Sequence, residues 1–201
     1  MRIVETKLYT IEELSDEAKQ NAFKNYTPIT DYISSEAYET YKAFEAVFNV
    51  KERNGSIVIN VRDEVQELSG VRLQTYIWNN FKDSLFKGKY YRVNANYPIK
   101  HKRVTSKTFD NGNTHNAYRS AITLESCCPL TGVCYDEAIL APIYQCLTGN
   151  FKHDYYQLIS ECFQSLEQYV EESIDSCYTI EYFTEEAKAN EWEFDENGNK
   201  Y

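Results

Sequence analysis

The 201 residues, 42% of them hydrophobic, suffice for one domain with a sizeable core, and no run among them is apolar enough to cross a bilayer. Seven glycines without a GxGxxG or a Gly-Lys-Ser/Thr group exclude a standard phosphate-cradling loop. The formal charge of −10 is unevenly spread: residues 82 to 107 sum to +7, whereas residues 155 to 196 sum to −11.

Residues 2 to 9 (RIVETKLY) alternate roughly between apolar and polar, which predicts a first strand. Thr10 and Glu13 then form the Thr-x-x-Glu pattern of a capping box and predict a short helix, with Ser15 free to cap a second turn. Ala18, Ala22 and Phe23 continue an apolar stripe, while Asp16 and Glu17 suit the positive end of a helix dipole. After Pro28, the spacing of Ile33, Ala37, Tyr41, Phe44 and Phe48 predicts a core helix capped by Thr30 or Asp31.

Asn54-Gly55 marks a turn, and Ile57, Ile59 and Val61 alternate along a half-buried strand. Residues 71 to 86 return to helical period through Leu73, Ile77, Phe81 and Leu85. From Gly88 the pattern turns extended, and Asn111-Gly112 places the tip of a long β-ribbon over 89 to 126. Pro98 demotes part of its first arm to an edge or a bulge.

Cys127 to Ile143 (CCPLTGVCYDEAILAPI) is the hinge between the basic arm and an acidic helical half. Asp136 can cap a helix ended by Gly149, kinked or divided at Pro142. Residues 154 to 182 form the longest periodic segment, with Glu161, Glu167, Glu171, Glu172 and Asp175 mainly off its apolar stripe. One more helical turn capped by Thr184 follows, then a short extended piece with an Asn-Gly turn.

Six cysteines without an export signal read as free thiols of a reducing compartment, so a soluble, cytoplasmic protein is expected. Cys127, Cys128 and Cys134 cluster, and zinc would need His101, His115 or His153 as a fourth ligand, but no paired CxxC supports a metal or any other cofactor. A hydrolase built on Cys134 and His115 lacks a recognisable setting. The basic arm, with Lys100, Lys102 and Arg103 and the interleaved Tyr90 and Tyr91, has the composition of a nucleic-acid surface. It also suits a charged edge strand that resists aggregation, or a docking surface for an acidic partner or for the chain's own acidic helix. The acidic segment either imitates a phosphate backbone in the basic groove of a nucleic-acid enzyme or keeps an amphipathic helix soluble.

LYTIEELSDEAKQNAFKNY, CPLTGVCYDEAILAPI and EEAKANEWEFDENGNKY together resemble a family of small acidic, mostly uncharacterised proteins encoded by phages, prophages and plasmids. The likeness covers roughly a third of the chain, both ends and the hinge, and leaves out the basic stretch 88 to 107. It implies an accessory gene of a mobile element, and such genes often antagonise host defence, CRISPR-Cas nucleases included.

The expectation is a single α+β domain over 1–201, with an N-terminal α/β part (1–87), a basic β-ribbon (88–126) and an acidic helical part (127–201). Residues 2 to 9, 56 to 62 and the ribbon would form one small antiparallel sheet, packed by several helices on one side. The expected function is a non-enzymatic, anti-CRISPR-type inhibitor that binds a bacterial CRISPR-Cas effector or another immune nuclease. Glu167, Glu171 and Glu172 would face the partner's basic channel, and Lys100, Lys102 and Arg103 would touch guide RNA, DNA or an acidic patch. The alternatives are a nucleic-acid-binding phage regulator that uses the ribbon, and an enzyme acting on nucleic acid through His101, His115 and Asp110.

Overall fold

A computed structural model describes residues 7–53, 55–86, 100–108, 114–121, 128–148 and 153–201, with 100–108 and 114–121 described as backbone. It is a mixed helix and sheet protein. In chain order the elements are β1 (Tyr9–Thr10), α1 (Asp16–Lys24), α2 (Asp31–Phe48), β2 (Val50–Arg53), β3 (Ser56–Ile59), α3 (Asp63–Gln66) and α4 (Gly70–Phe86). There follow β4 (Lys100–Thr108), β5 (Thr114–Ala121), α5 (Tyr135–Thr148), α6 (Tyr155–Cys177), α7 (Ile180–Ala189) and β6 (Glu193–Phe194). No helix among the described residues is long and apolar enough to cross a membrane.

Among the described residues the strands do not join into the single expected sheet. They form separate antiparallel pairs, β1 with β6, β2 with β3, and β4 with β5. Lys7 and Leu8 are not in a strand, and Tyr9 and Thr10 pair with Phe194 and Glu193 of the tail. Gly55 lies in a turn, Asn54 lies outside the described residues, and the hairpin pairs 50–53 with 56–59. Between β4 and β5 the register runs from Lys100 opposite Ala121 to Thr108 opposite Thr114, with an irregularity between Arg103 and Thr105. The expected ribbon's tip at Gly112 and its outer arms over 87–99 and 122–127 lie outside the described residues.

By its contacts the chain divides into two compact units, residues 1–34 with 170–201, and residues 35–169. The first is built on a cluster of Ile11, Leu14, Ala18, Ala22, Phe183 and Phe194. Ser15 caps α1 as its sequence suggests, accepting from the Ala18 amide at 3.3 Å. Thr10 and Glu13 make the predicted side-chain contact, the Thr10 amide donating to Glu13 Oε2 at 2.8 Å, but they close a turn and no helix starts there.

The second unit has an aromatic and aliphatic core in which Phe44 stacks on Phe48 at 4.4 Å and Phe48 meets Phe81 at 4.5 Å. The hinge loop is fixed by Asp136, which is fully buried in the first turn of α5. Its Oδ2 accepts the amides of Leu130 and Thr131 at 2.8 Å and of Gly132 at 3.1 Å, while the hydroxyls of Thr131 and Thr40 donate to Oδ1. A buried carboxylate with five donors is stable where an unpaired one is not. Pro142 does not divide α5, which runs through it to Thr148.

The periodic segment expected over 154–182 is two helices. It breaks at Tyr178, and Thr179 caps α7 by accepting the Tyr182 amide at 3.2 Å. Thr184, expected as that cap, lies inside α7 and donates its hydroxyl to the Ile180 carbonyl at 2.7 Å.

Candidate functional site: an acidic helix and an aromatic pocket

α6 begins with a reciprocal capping box. The Gln157 amide donates to Asp154 Oδ1 at 2.8 Å, and the Asp154 amide donates to Gln157 Oε1 at 3.0 Å. Leu158, Ile159, Cys162, Phe163 and Leu166 recur at helical spacing and are buried. The rest of the surface is anionic: the 23 residues of α6 hold five acids and no base. Glu161 is half-buried and pairs with His153, whereas Glu167, Glu171, Glu172 and Asp175 are exposed.

Glu167, Glu171 and Asp175 recur every four residues, so they rise along one face in steps of about 6 Å. Glu172 stands about 100° further round the helix. This arrangement opposes the helix's own stability. Like charges four residues apart repel by a few tenths of a kcal/mol, and Asp175 sits in the last turn, where the dipole favours a cation. A run of like charge that lowers a helix's own stability is a place to look for a functional surface.

The unit made of residues 1–34 and 170–201 holds sixteen acids and six bases, so it carries the whole net charge of −10. Residues 35–169 hold fifteen of each. The charge division lies between the compact units and not simply between the two halves of the sequence.

Of the expected basic contacts, Lys100, Lys102 and Arg103 lie on β4, in register with Ala121, Arg119 and Tyr118. Tyr90, Tyr91 and Asp110 lie outside the described residues. His101 stands opposite Ser120 and His115 opposite Lys107, six positions away, or about 20 Å along the strands. The structure thus does not bring the two histidines together. Among the described residues no group of three metal-ligating side chains occurs, and Cys134 is exposed while Cys128 is half-buried.

The tail builds a second feature, not anticipated from the sequence. α7 ends in a Schellman motif: the Trp192 amide donates to the Ala187 carbonyl at 2.9 Å, the Glu191 amide to that of Lys188 at 3.1 Å, and Glu191 takes φ 51°. That turn sets Trp192 beside the ring of Phe183, at 6.3 Å, and Tyr26, at 6.2 Å. Asp195 then folds the last residues back, its Oδ1 accepting the amides of Asn197 and Asn199 at 2.9 Å.

These rings and the tail line a pocket of about 650 Å³, within the range of ligand sites. Ile29, 71% exposed, stands at its edge. Glu186 also lines it and accepts the Tyr26 hydroxyl through Oε2. Burial first, and then that carboxylate, raise the Tyr26 hydroxyl well above the usual phenol range, so it stays a donor. Glu186 Oε1 has no hydrogen-bond partner among the described residues. The Lys200 ammonium lies 3.1 Å from the centre of the Trp192 ring. The sequence signal was present in Trp192 and Phe194 beside an Asn-Gly turn, but only the fold brings Tyr26 and Phe183 to them.

No family model, curated protein or solved structure matches the chain.

Proposed function

We propose that this chain is a non-catalytic inhibitor encoded by a mobile element. It acts in the bacterial cytoplasm by seating the acidic face of α6 in the nucleic-acid channel of an immune nuclease, a CRISPR-Cas effector first. The observation that carries this reading is the exposed row of Glu167, Glu171 and Asp175, with Glu172 beside it, on a helix without a base. Steps of about 6 Å offer roughly one carboxylate for every two phosphates of a strand, so lysines and arginines placed for a duplex find partners along it. The resemblance to phage and plasmid accessory proteins supports the choice of target.

The test is capture of a CRISPR effector, loaded with its guide, by the tagged full chain across a salt series, with target cleavage read in parallel. The reading expects a salt-sensitive complex and lost cleavage, both abolished in the triple variant Glu167→Lys, Glu171→Lys, Glu172→Lys. Unchanged capture by that variant would overturn it.

The pairing of β4, which bears Lys100, Lys102 and Arg103, favours a second reading. In it the chain is a regulator that binds nucleic acid through that strand, and the triple variant on α6 leaves this binding intact or strengthens it.

A further inference from the structure

The pocket between α1, α7 and the tail combines three features that together specify a ligand. Its walls are rings, with Tyr26 5.0 Å from Phe183 and Trp192 about equally far from both. A carboxylate, Glu186, lines it with one oxygen held by Tyr26 and the other without a hydrogen-bond partner among the described residues. One of the rings already holds a cation, because Lys200 of the same chain lies over Trp192. Ring faces attract cations through their quadrupole, and more strongly where water is excluded. A planar guanidinium can stack on a ring and donate to a carboxylate at once, which a compact ammonium does less well.

We infer that this pocket is a receptor for an arginine side chain of a partner protein, with the partly buried Tyr26 and Trp192 as the stacking walls, the buried Phe183 behind them and Glu186 as the acceptor. Charge complementarity supports that occupant, since the unit around the pocket carries the full −10 of the protein. The volume of about 650 Å³ exceeds one guanidinium and admits the flanking backbone of a protein segment, which can also cover the exposed Ile29. Lys200 is the occupant of the Trp192 ring in the free chain, and the incoming arginine displaces it. The inference deepens the inhibitor reading, on which it rests for the source of the arginine: a nuclease channel is lined with such residues.

The pocket is tested on the free full-length chain, so that its failure and that of the inhibitor reading are separate results. The probe is N-acetyl-arginine-N-methylamide, with the citrulline analogue as its neutral counterpart. Binding is read from the Trp192 indole N–H resonance, assigned by its loss in Trp192→Phe. Arginine should shift this resonance saturably and citrulline should not. Glu186→Gln should weaken the arginine affinity about tenfold, the scale of a lost charge-assisted hydrogen bond. Lys200→Gln should tighten it about threefold or more by removing the competing cation. The two variants move in opposite directions, which a general loss of folding does not produce, and the melting curve of each checks the fold. Equal shifts with citrulline, no saturable shift, or a Lys200→Gln variant that binds no tighter would each overturn the inference.

Discussion

Ser165 donates its hydroxyl at 2.8 Å to the carbonyl of Ala138, the residue four positions before Pro142. Proline has no amide hydrogen, so within α5 that carbonyl lacks its helical donor. A side chain of α6 supplies the missing bond, and α5 continues through the proline without division. Ser165→Ala should therefore cost about 1 kcal/mol, the usual worth of a hydrogen bond at this part-buried site, where an ordinary exposed serine would cost nearly nothing. Urea unfolding of the full chain measures it. A change below about 0.5 kcal/mol would mean that water replaces the hydroxyl.

The tail rests on a glycine that has no substitute. A Cβ on Gly198 would lie 2.0 Å from the Ala18 carbonyl oxygen, and the residue takes φ +82°. Gly198→Ala should destabilise the unit of residues 1–34 and 170–201 by about 2 kcal/mol or more, combining left-handed strain with a clash against helix backbone. Gly55 provides the control. Its φ is +77°, yet nothing lies within 4 Å of its Cβ, so Gly55→Ala should cost only about 1 kcal/mol. Comparable losses in the two variants, read from denaturant midpoints, would show that the contact with α1 contributes nothing.

These cases mark what was legible in the sequence. Local rules placed Ser15 as a cap, the helix over 31–48, the helix near 71–86 and the turn at Gly55, because each depends on residues within a few positions. The break at Tyr178 was hidden because the apolar spacing carries on past it, and the Thr179 cap competes only weakly with that pattern. Thr184 is an equally good capping residue by type, and nothing local in the sequence ranks Thr179 above it. Pro142 suggested a kink because its rescue by Ser165 comes from 27 residues away. The exposed acids of α6 were legible as an off-stripe set, and Glu167, Glu171 and Glu172 do lie at the surface. The pocket was not, since Tyr26 and Trp192 are joined only through the pairing of β1 with β6 and the packing of α1 on α7.

The tail should also respond to acid. Hydrogen bonds from Asn199, side chain first and then backbone, hold the Asp195 carboxyl below the usual carboxylate range. A carboxyl lowered in the folded state stabilises it above its unfolded pKa, near 4 by the reference value, about which protonation begins to matter. The contribution is lost as pH falls from about 4 through the lower folded value. Fluorescence of Trp192, whose ring Lys200 covers, should therefore change below about pH 4, and Asp195→Asn should show the altered signal already at neutral pH. A variant with the same acid transition as the parent would place the titrating group elsewhere.

The acidic face of α6 should be dispensable for folding and indispensable for binding. Glu171 stands four residues after Glu167 and four before Asp175, so both neighbours repel it. Glu171→Lys replaces two repulsions with two attractions, of which the pair with Glu167 has the better orientation relative to the dipole. Summed, the change should stabilise the chain by about 0.5–1 kcal/mol, and salt should reduce the gain because the side chains are exposed. In the inhibitor reading the same substitution places a cation against a basic channel, so effector capture should fall while thermal stability rises. A helix that merely needs its acids for solubility predicts no fall in capture by the folded variant. A single residue that raises the melting temperature and weakens the complex separates the two explanations without recourse to an unfolded protein.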